Sequence, residues 1–213
     1  MPPNTTKKVA TEAELSRFFS AIRIGRPENV IEAIEQGMDV NQANEGGSTA
    51  LMQATYGGDS TMVALLISRG ANVNMIDGAG ESALHLARGH REDYPQIETL
   101  SLLLDAGANL EVVNHEGDTP LLTFAKAARN YAIIKADSYI EVDHSPFIEL
   151  LIERGANLLA VDRNGKTARD LIAGDLENCH PEKGRVMVAA IDRKLLEQQT
   201  QINPRPREPR RML

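Results

Sequence analysis

The chain holds five histidines and one cysteine, the residue types on which metal binding or nucleophilic catalysis would rest. His90, His115, His144 and the adjacent Cys179 and His180 fall in separate stretches. They lack the paired Cys-x-x-Cys or helix-spaced histidines that a zinc site needs. His85 sits in an apolar run, where a hydrogen-bonded core histidine is expected. Glu116, Asp118 and Asp162 occupy turn-like sequence, and ordinary solvation accounts for them better than general acid–base work. No Gly-rich phosphate loop follows a strand-like run, since Gly78 and Gly80 belong to a turn. No Gly-x-Ser-x-Gly occurs. These residues do not converge on a catalytic or metal site, so the expectation is a protein that is not an enzyme and takes no cofactor.

Composition agrees with a binding role. Apolar residues make up 42% of the 213 and aromatics 4%, without a tryptophan. A core poor in rings suits thin helical layers built from Leu, Ile, Val and Ala. No run of about 18 apolar residues is present, so no membrane span is expected. The polar N-terminus does not resemble a secretory signal. A single cysteine excludes an intrachain disulfide framework and fits a reducing, cytoplasmic setting. The formal charge is −7. The tail from Asn203 to Leu213 carries +3 and the first twelve residues +1, which leaves the body at −11. An acidic body repels phosphate backbones, so nucleic acid is disfavoured as its partner. Pro204, Pro206 and Pro209 forbid a helix in the basic tail, where disorder is expected.

The elements that position everything else come from a repeat. Gly37, Gly70, Gly107 and Gly155 each open a Gly-x-x-x-Asn run or a variant of it, at steps of 33, 37 and 48 residues. A second anchor, Gly-x-Thr/Ser, places Thr49, Ser82, Thr119 and Thr167 at the same three steps. Those hydroxyls are placed to cap helices, and Pro120 suits a first helical position. A second helix follows in each unit, with apolar faces such as Met62, Val63, Leu65, Leu66 or Phe147, Ile148, Leu150, Leu151. Gly70, Gly107 and Gly155 come where a left-handed terminal residue is wanted. Helices this short are marginal alone and gain stability by stacking.

The pattern Asp/Asn-x-x-Gly-x-Thr-Pro-Leu-His, then two helices, then Gly-Ala-Asn-Val-Asn resembles the ankyrin repeat. It covers about residues 13–174. The resemblance implies an all-α ankyrin-repeat solenoid of stacked helix pairs with projecting β-hairpin turns. The expected organisation is a disordered head over 1–12, a repeat domain with both capping repeats over 13–199, and a basic tail over 200–213. Helices are expected near 13–23 and 28–36. Full repeats start near Asn44, Asp77 and Asn114, and a closing repeat at Asp162. A helix over 185–199, with Val188, Ile191 and Leu195 on one face, is expected to seal the stack.

Members of this family bind proteins through the concave face, and in this register that face would carry Glu45, Tyr56, Glu81, Arg88, Glu116 and Asp118. The long steps add four residues within 88–97 and fifteen between Ala125 and Ser145. Both insertions fall between the two helices of neighbouring repeats. They supply the further contact candidates Tyr94, Arg129, Tyr131 and Tyr139. The leading expectation is a monomeric module that sequesters, inhibits or scaffolds one partner protein, as an inhibitor, an immunity protein or an effector would. The alternative is a regulatory adaptor whose basic tail docks an acidic surface or nucleic acid.

The longer insertion reads either as a partner-binding ridge or as a brace packed on its own repeat. Replacing residues 129–143 by a short Gly/Ser linker separates the two. The expected outcome is lost partner affinity with a nearly unchanged melting temperature. Retained affinity would count against the ridge, and a large fall in melting temperature would identify a brace.

Overall fold

The structure, a computed structural model, describes residues 10–88, 97–130, 144–174 and 181–202. Among these residues it is helical without a strand, and it is the expected ankyrin solenoid. Five helix pairs follow one another along the chain. They are α1 (Glu12–Arg23) with α2 (Pro27–Glu35), and α3 (Ala50–Gly57) with α4 (Ser60–Ser68). Next come α5 (Ala83–Leu86) with α6 (Ile97–Asp105), and α7 (Pro120–Asn130) with α8 (Ser145–Glu153). The last pair is α9 (Ala168–Ala173) with α10 (Pro181–Ile202). The final helix thus begins four residues before the expected Arg185 and continues past Gln199.

Several starts are chemically marked. Thr11 accepts from the Glu14 N–H, and Glu14 returns a bond to the Thr11 N–H, closing a capping box. Thr49 accepts from Met52 N–H and Thr167 from Asp170 N–H. Pro120 opens α7 at a position where an N–H would have no helical partner. The first helices α3, α5, α7 and α9 pack in sequence against one another, as do α4, α6, α8 and α10. The core therefore runs as one ribbon through every layer. Leu51, Leu66, Leu84, Leu100, Leu103, Leu122, Ile148 and Ile191 are all fully buried in it. Phe124 and Phe147 stack at 5.3 Å inside the fourth pair.

The turns between pairs repeat one geometry. Asn44, Asp77, Asn114 and Asp162 each use Oδ1 to accept two backbone N–H groups further along their own turn. Short bridges Ala43–Thr49, Ile76–Ser82 and Val161–Thr167 close these hairpins. Adjacent turns are joined: Gly78 N–H donates to Gly46 C=O, and His115 N–H to Ala79 C=O, both at 2.9 Å. Gly47 and Gly80 carry positive φ. A Cβ on Gly47 would lie 2.9 Å from Gly78 N, and one on Gly80 2.9 Å from the His115 ring. Only glycine allows neighbouring turns to approach this closely.

Both insertions fall where expected, between α5 and α6 and between α7 and α8. Part of the longer one is helical, since α7 has 11 residues against 8 in α3. Residues 89–96 and 131–143, and with them Tyr94, Tyr131 and Tyr139, lie outside the described residues.

Leu66→Ala and Leu103→Ala each open a cavity in a fully buried second helix. Each is expected to cost about 2–5 kcal/mol. Because every pair leans on its neighbours, both should lower the denaturant midpoint of the whole transition. Unchanged midpoints would contradict this packing.

Candidate functional site

The hairpin turns and the ends of the first helices form the edge on which the candidate residues were expected. Glu45 and Glu116 are exposed at turn tips, and neither forms an ion pair among the described residues. Tyr56, in the last turn of α3, is 39% exposed. Glu81 and Arg88 pair with each other at 3.0 Å, both half-buried, so each already has part of its charge compensated. Arg129 falls within the last turn of α7.

Asp118 corrects the expectation of an exposed, solvated turn carboxylate. It is buried, and so is Asp162. Lys126 accounts for both. Its Nζ donates to Asp118 Oδ1 and Oδ2 at 2.7 and 2.6 Å, and it lies 3.6 Å from Asp162 Oδ2. The Lys166 N–H, bonded to its carboxylate, holds Asp162 below the usual aspartate range. Burial opposes that shift, while Asn164 and the Lys126 charge reinforce it. A carboxylate satisfied in this way is structural rather than available to a partner.

His85 is the buried core histidine that the sequence suggested, with both ring nitrogens satisfied. The Ser82 backbone N–H donates to Nδ1 at 3.2 Å, so Nδ1 is the acceptor. Nε2 then carries the proton and donates to the Asp118 carbonyl at 3.1 Å, in the next repeat. Desolvation pulls the His85 pKa below its ordinary value, more strongly than the Asp118 carbonyl and the nearby carboxylates raise it. No group of three or more His, Cys, Asp or Glu among the described residues is placed to hold a metal. His90, Cys179 and His180 lie outside those residues. No helix among them is long and apolar enough to cross a membrane. A groove of about 520 Å³ between α1 and α2 is lined by Phe18, Ala21, Ile24 and Met38 and contains none of the candidate residues.

Three residues were missed from the sequence. Ile76, Val113 and Val161 are 52%, 55% and 51% exposed. Each immediately precedes the Asp or Asn that organises its turn, so they occupy one register position in three successive repeats. The turns lie side by side, and these side chains therefore form an apolar stripe along the hairpin edge. Isolated exposed apolar residues are ordinary on any protein, but recurrence at one structural position is a pattern. The repeat alignment itself contained the signal.

The geometry defines a class: stacked helix pairs, hairpin turns and cross-repeat amide bonds make this chain an ankyrin-repeat protein. Residues 18–114 match the family of ankyrin repeats in three copies. The chain is 34% identical over 122 residues to the mouse (Mus musculus) B-cell lymphoma 3 protein homolog. It is 30% identical over 126 residues to ankyrin repeat, SAM and basic leucine zipper domain-containing protein 1 of Notamacropus eugenii. It is 34% identical over 120 residues to human (Homo sapiens) ankyrin repeat and SOCS box protein 6. These matches cover 57%, 59% and 56% of this chain and 26% of each relative. The chain thus spans about a quarter of the length of these curated relatives. What the chain shares with them is the repeat array, a protein–protein interaction module.

The neutral His85 makes stability pH-dependent. The unfolded histidine takes up a proton near pH 6.5, while the folded one resists it. Below that pH the unfolded state binds more protons, so stability falls as pH drops from 7 towards 5. The His85→Gln variant is expected to lose much of this slope, even if it is less stable overall. Denaturant midpoints of both proteins across that range make the check, and identical slopes would assign the effect elsewhere.

Proposed function

We propose that the chain binds one partner protein along its hairpin edge, and that it acts by sequestering, inhibiting or scaffolding that partner rather than by chemistry of its own. The observation that carries this reading is the stripe of Ile76, Val113 and Val161. Half-exposed apolar groups clustered on one edge mark a contact surface. Tyr56 adds an aromatic anchor of the type that dominates interface energetics. Glu45 and Glu116 rim the stripe with negative charge, and the body as a whole carries −11. The partner surface that fits is therefore apolar at its centre and basic at its rim. The array at 26% of each relative's length supports a recognition role and leaves the partner to experiment.

The test is affinity purification from the native source, using the wild type and the double variant Ile76→Asp, Val113→Asp, followed by mass spectrometry. Both side chains are half in water, so the variant is expected to melt within a few degrees of wild type. The wild type should retain a protein that the variant loses by about tenfold or more, the scale of hot-spot truncation. Equal retention would remove the stripe as the site. The variant Tyr56→Ala, Arg88→Ala then asks whether the helix ends contribute.

A further inference from the structure

We propose that Lys126 is a latch that docks the closing repeat, and that neutralising its charge releases α9 and α10 as a unit while the repeats before them stay folded. The first two junctions carry neutral side-chain bonds that recur at one position. Asn41 accepts from the Asn72 N–H at 2.7 Å and donates to the Gly70 carbonyl at 3.3 Å. Asn74 does the same with Asn109 and Gly107, at 2.7 and 3.2 Å. Turn-to-turn backbone bonds and the His85 contact add to these.

The junction between the fourth and fifth pairs is different in every one of these respects. At the position of Asn41 and Asn74 stands Leu159, which offers no side-chain amide. At the position of His85 stands Leu122, fully buried and apolar. The turn-to-turn bond comes from the Arg163 side chain, whose guanidinium donates to the His115 carbonyl. Beside it stands Lys126, bridging Asp118 on its own repeat to Asp162 on the next. Both carboxylate side chains are only 2% exposed. With the ammonium removed, buried Asp118 would lose the cation that holds both of its oxygens and would be left beside Asp162, whose charge is met by the N–H groups of its own turn. Breaking a buried pair from one side is far costlier than never having had it.

Asp162 also holds the first turn of the closing repeat, accepting from Asn164 N–H and Lys166 N–H. Arg169 and Asp192 tie α9 to α10 through two hydrogen bonds. The closing pair is therefore internally linked, and the Lys126 ammonium and the Arg163 guanidinium both tie its first turn to the repeat before it. Val161 travels with this pair, so the latch also positions the last third of the apolar stripe. That consequence rests on the proposed function, whereas the latch does not.

Hydrogen exchange read by mass spectrometry on the full chain tests the latch without any partner. Lys126→Met keeps the aliphatic stem and removes the charge. Protection in 168–173 and 182–200 should fall roughly a hundredfold, the scale of a buried pair losing one partner, with 50–68 unchanged. Lys126→Arg should restore most of it. Adding Asp118→Asn and Asp162→Asn to Lys126→Met should also restore it, because both buried charges are then gone and Asn44 and Asn114 show that asparagine serves the Asp162 position equally well. Unchanged protection in Lys126→Met, an equal loss in every repeat, or no recovery on removing the two carboxylates would each overturn the proposal.

Discussion

The side-chain amide of Asn74 reaches into the repeat that follows, accepting one backbone hydrogen bond and donating another. Asn41 makes the same pair one layer earlier. Much of the fold depends on this contact. The helices have 4 to 12 residues before the last, too few to be stable in isolation. Their apolar faces are useful only when the next pair is held at packing distance and in register. Packing alone is non-directional. The amide bonds and the joined turns supply the direction, because each has one donor, one acceptor and one admissible geometry.

This constraint explains why the array tolerates insertions of four and fifteen residues. Both lie between the two helices of a pair, away from the amide and the turn. The anchors on either side keep their geometry: the Asn109 and Asn157 N–H groups each donate to a side chain of the previous repeat, although the second acceptor is Glu111 in place of asparagine. Glu111 accepts from the Asn157 N–H at 2.8 Å but, as a carboxylate, has no N–H for the Gly155 carbonyl. The register survives with half of the usual bonding. Arg154 and Asp105, paired at 2.7 Å across the same junction, add a second tie.

The repeat, its caps and its core helices were legible in the sequence because each is a local chemical requirement recurring at a fixed spacing. A hydroxyl precedes a helix, a glycine ends one, and a leucine stripe faces inward. Two features were not legible, for different reasons. The burial of Asp118 and Asp162 depends on Lys126, which lies outside the repeat motif, on a helix turn that only folding brings beside both carboxylates. A carboxylate in a turn is solvated by default, and nothing local marks the exception. The stripe of Ile76, Val113 and Val161 escaped for the opposite reason. Binding candidates were sought among charged and aromatic types, whereas these are plain aliphatics whose significance lies in shared position. The tyrosines of the insertions remain sequence-based candidates.

Closing a repeat array poses a problem that interior repeats do not face. An asparagine at the last junction would present an unused amide and a register that a further repeat could extend. Leu159 makes no such offer, and α10, with Met187 and Ile191 buried, packs on α8 and α9. Apolar packing of one long helix on two short ones is permissive, however, and would allow several registers. A buried ion pair adds little net stability, since desolvation offsets most of the Coulomb gain. Its value is in direction: a shift of one turn would part the two buried carboxylates from the half-buried Lys126 ammonium. Glu111 already keeps only half of the asparagine contact one junction earlier, and where Leu159 offers no polar group at all the Lys126 bridge supplies a directional tie between the fourth and fifth pairs.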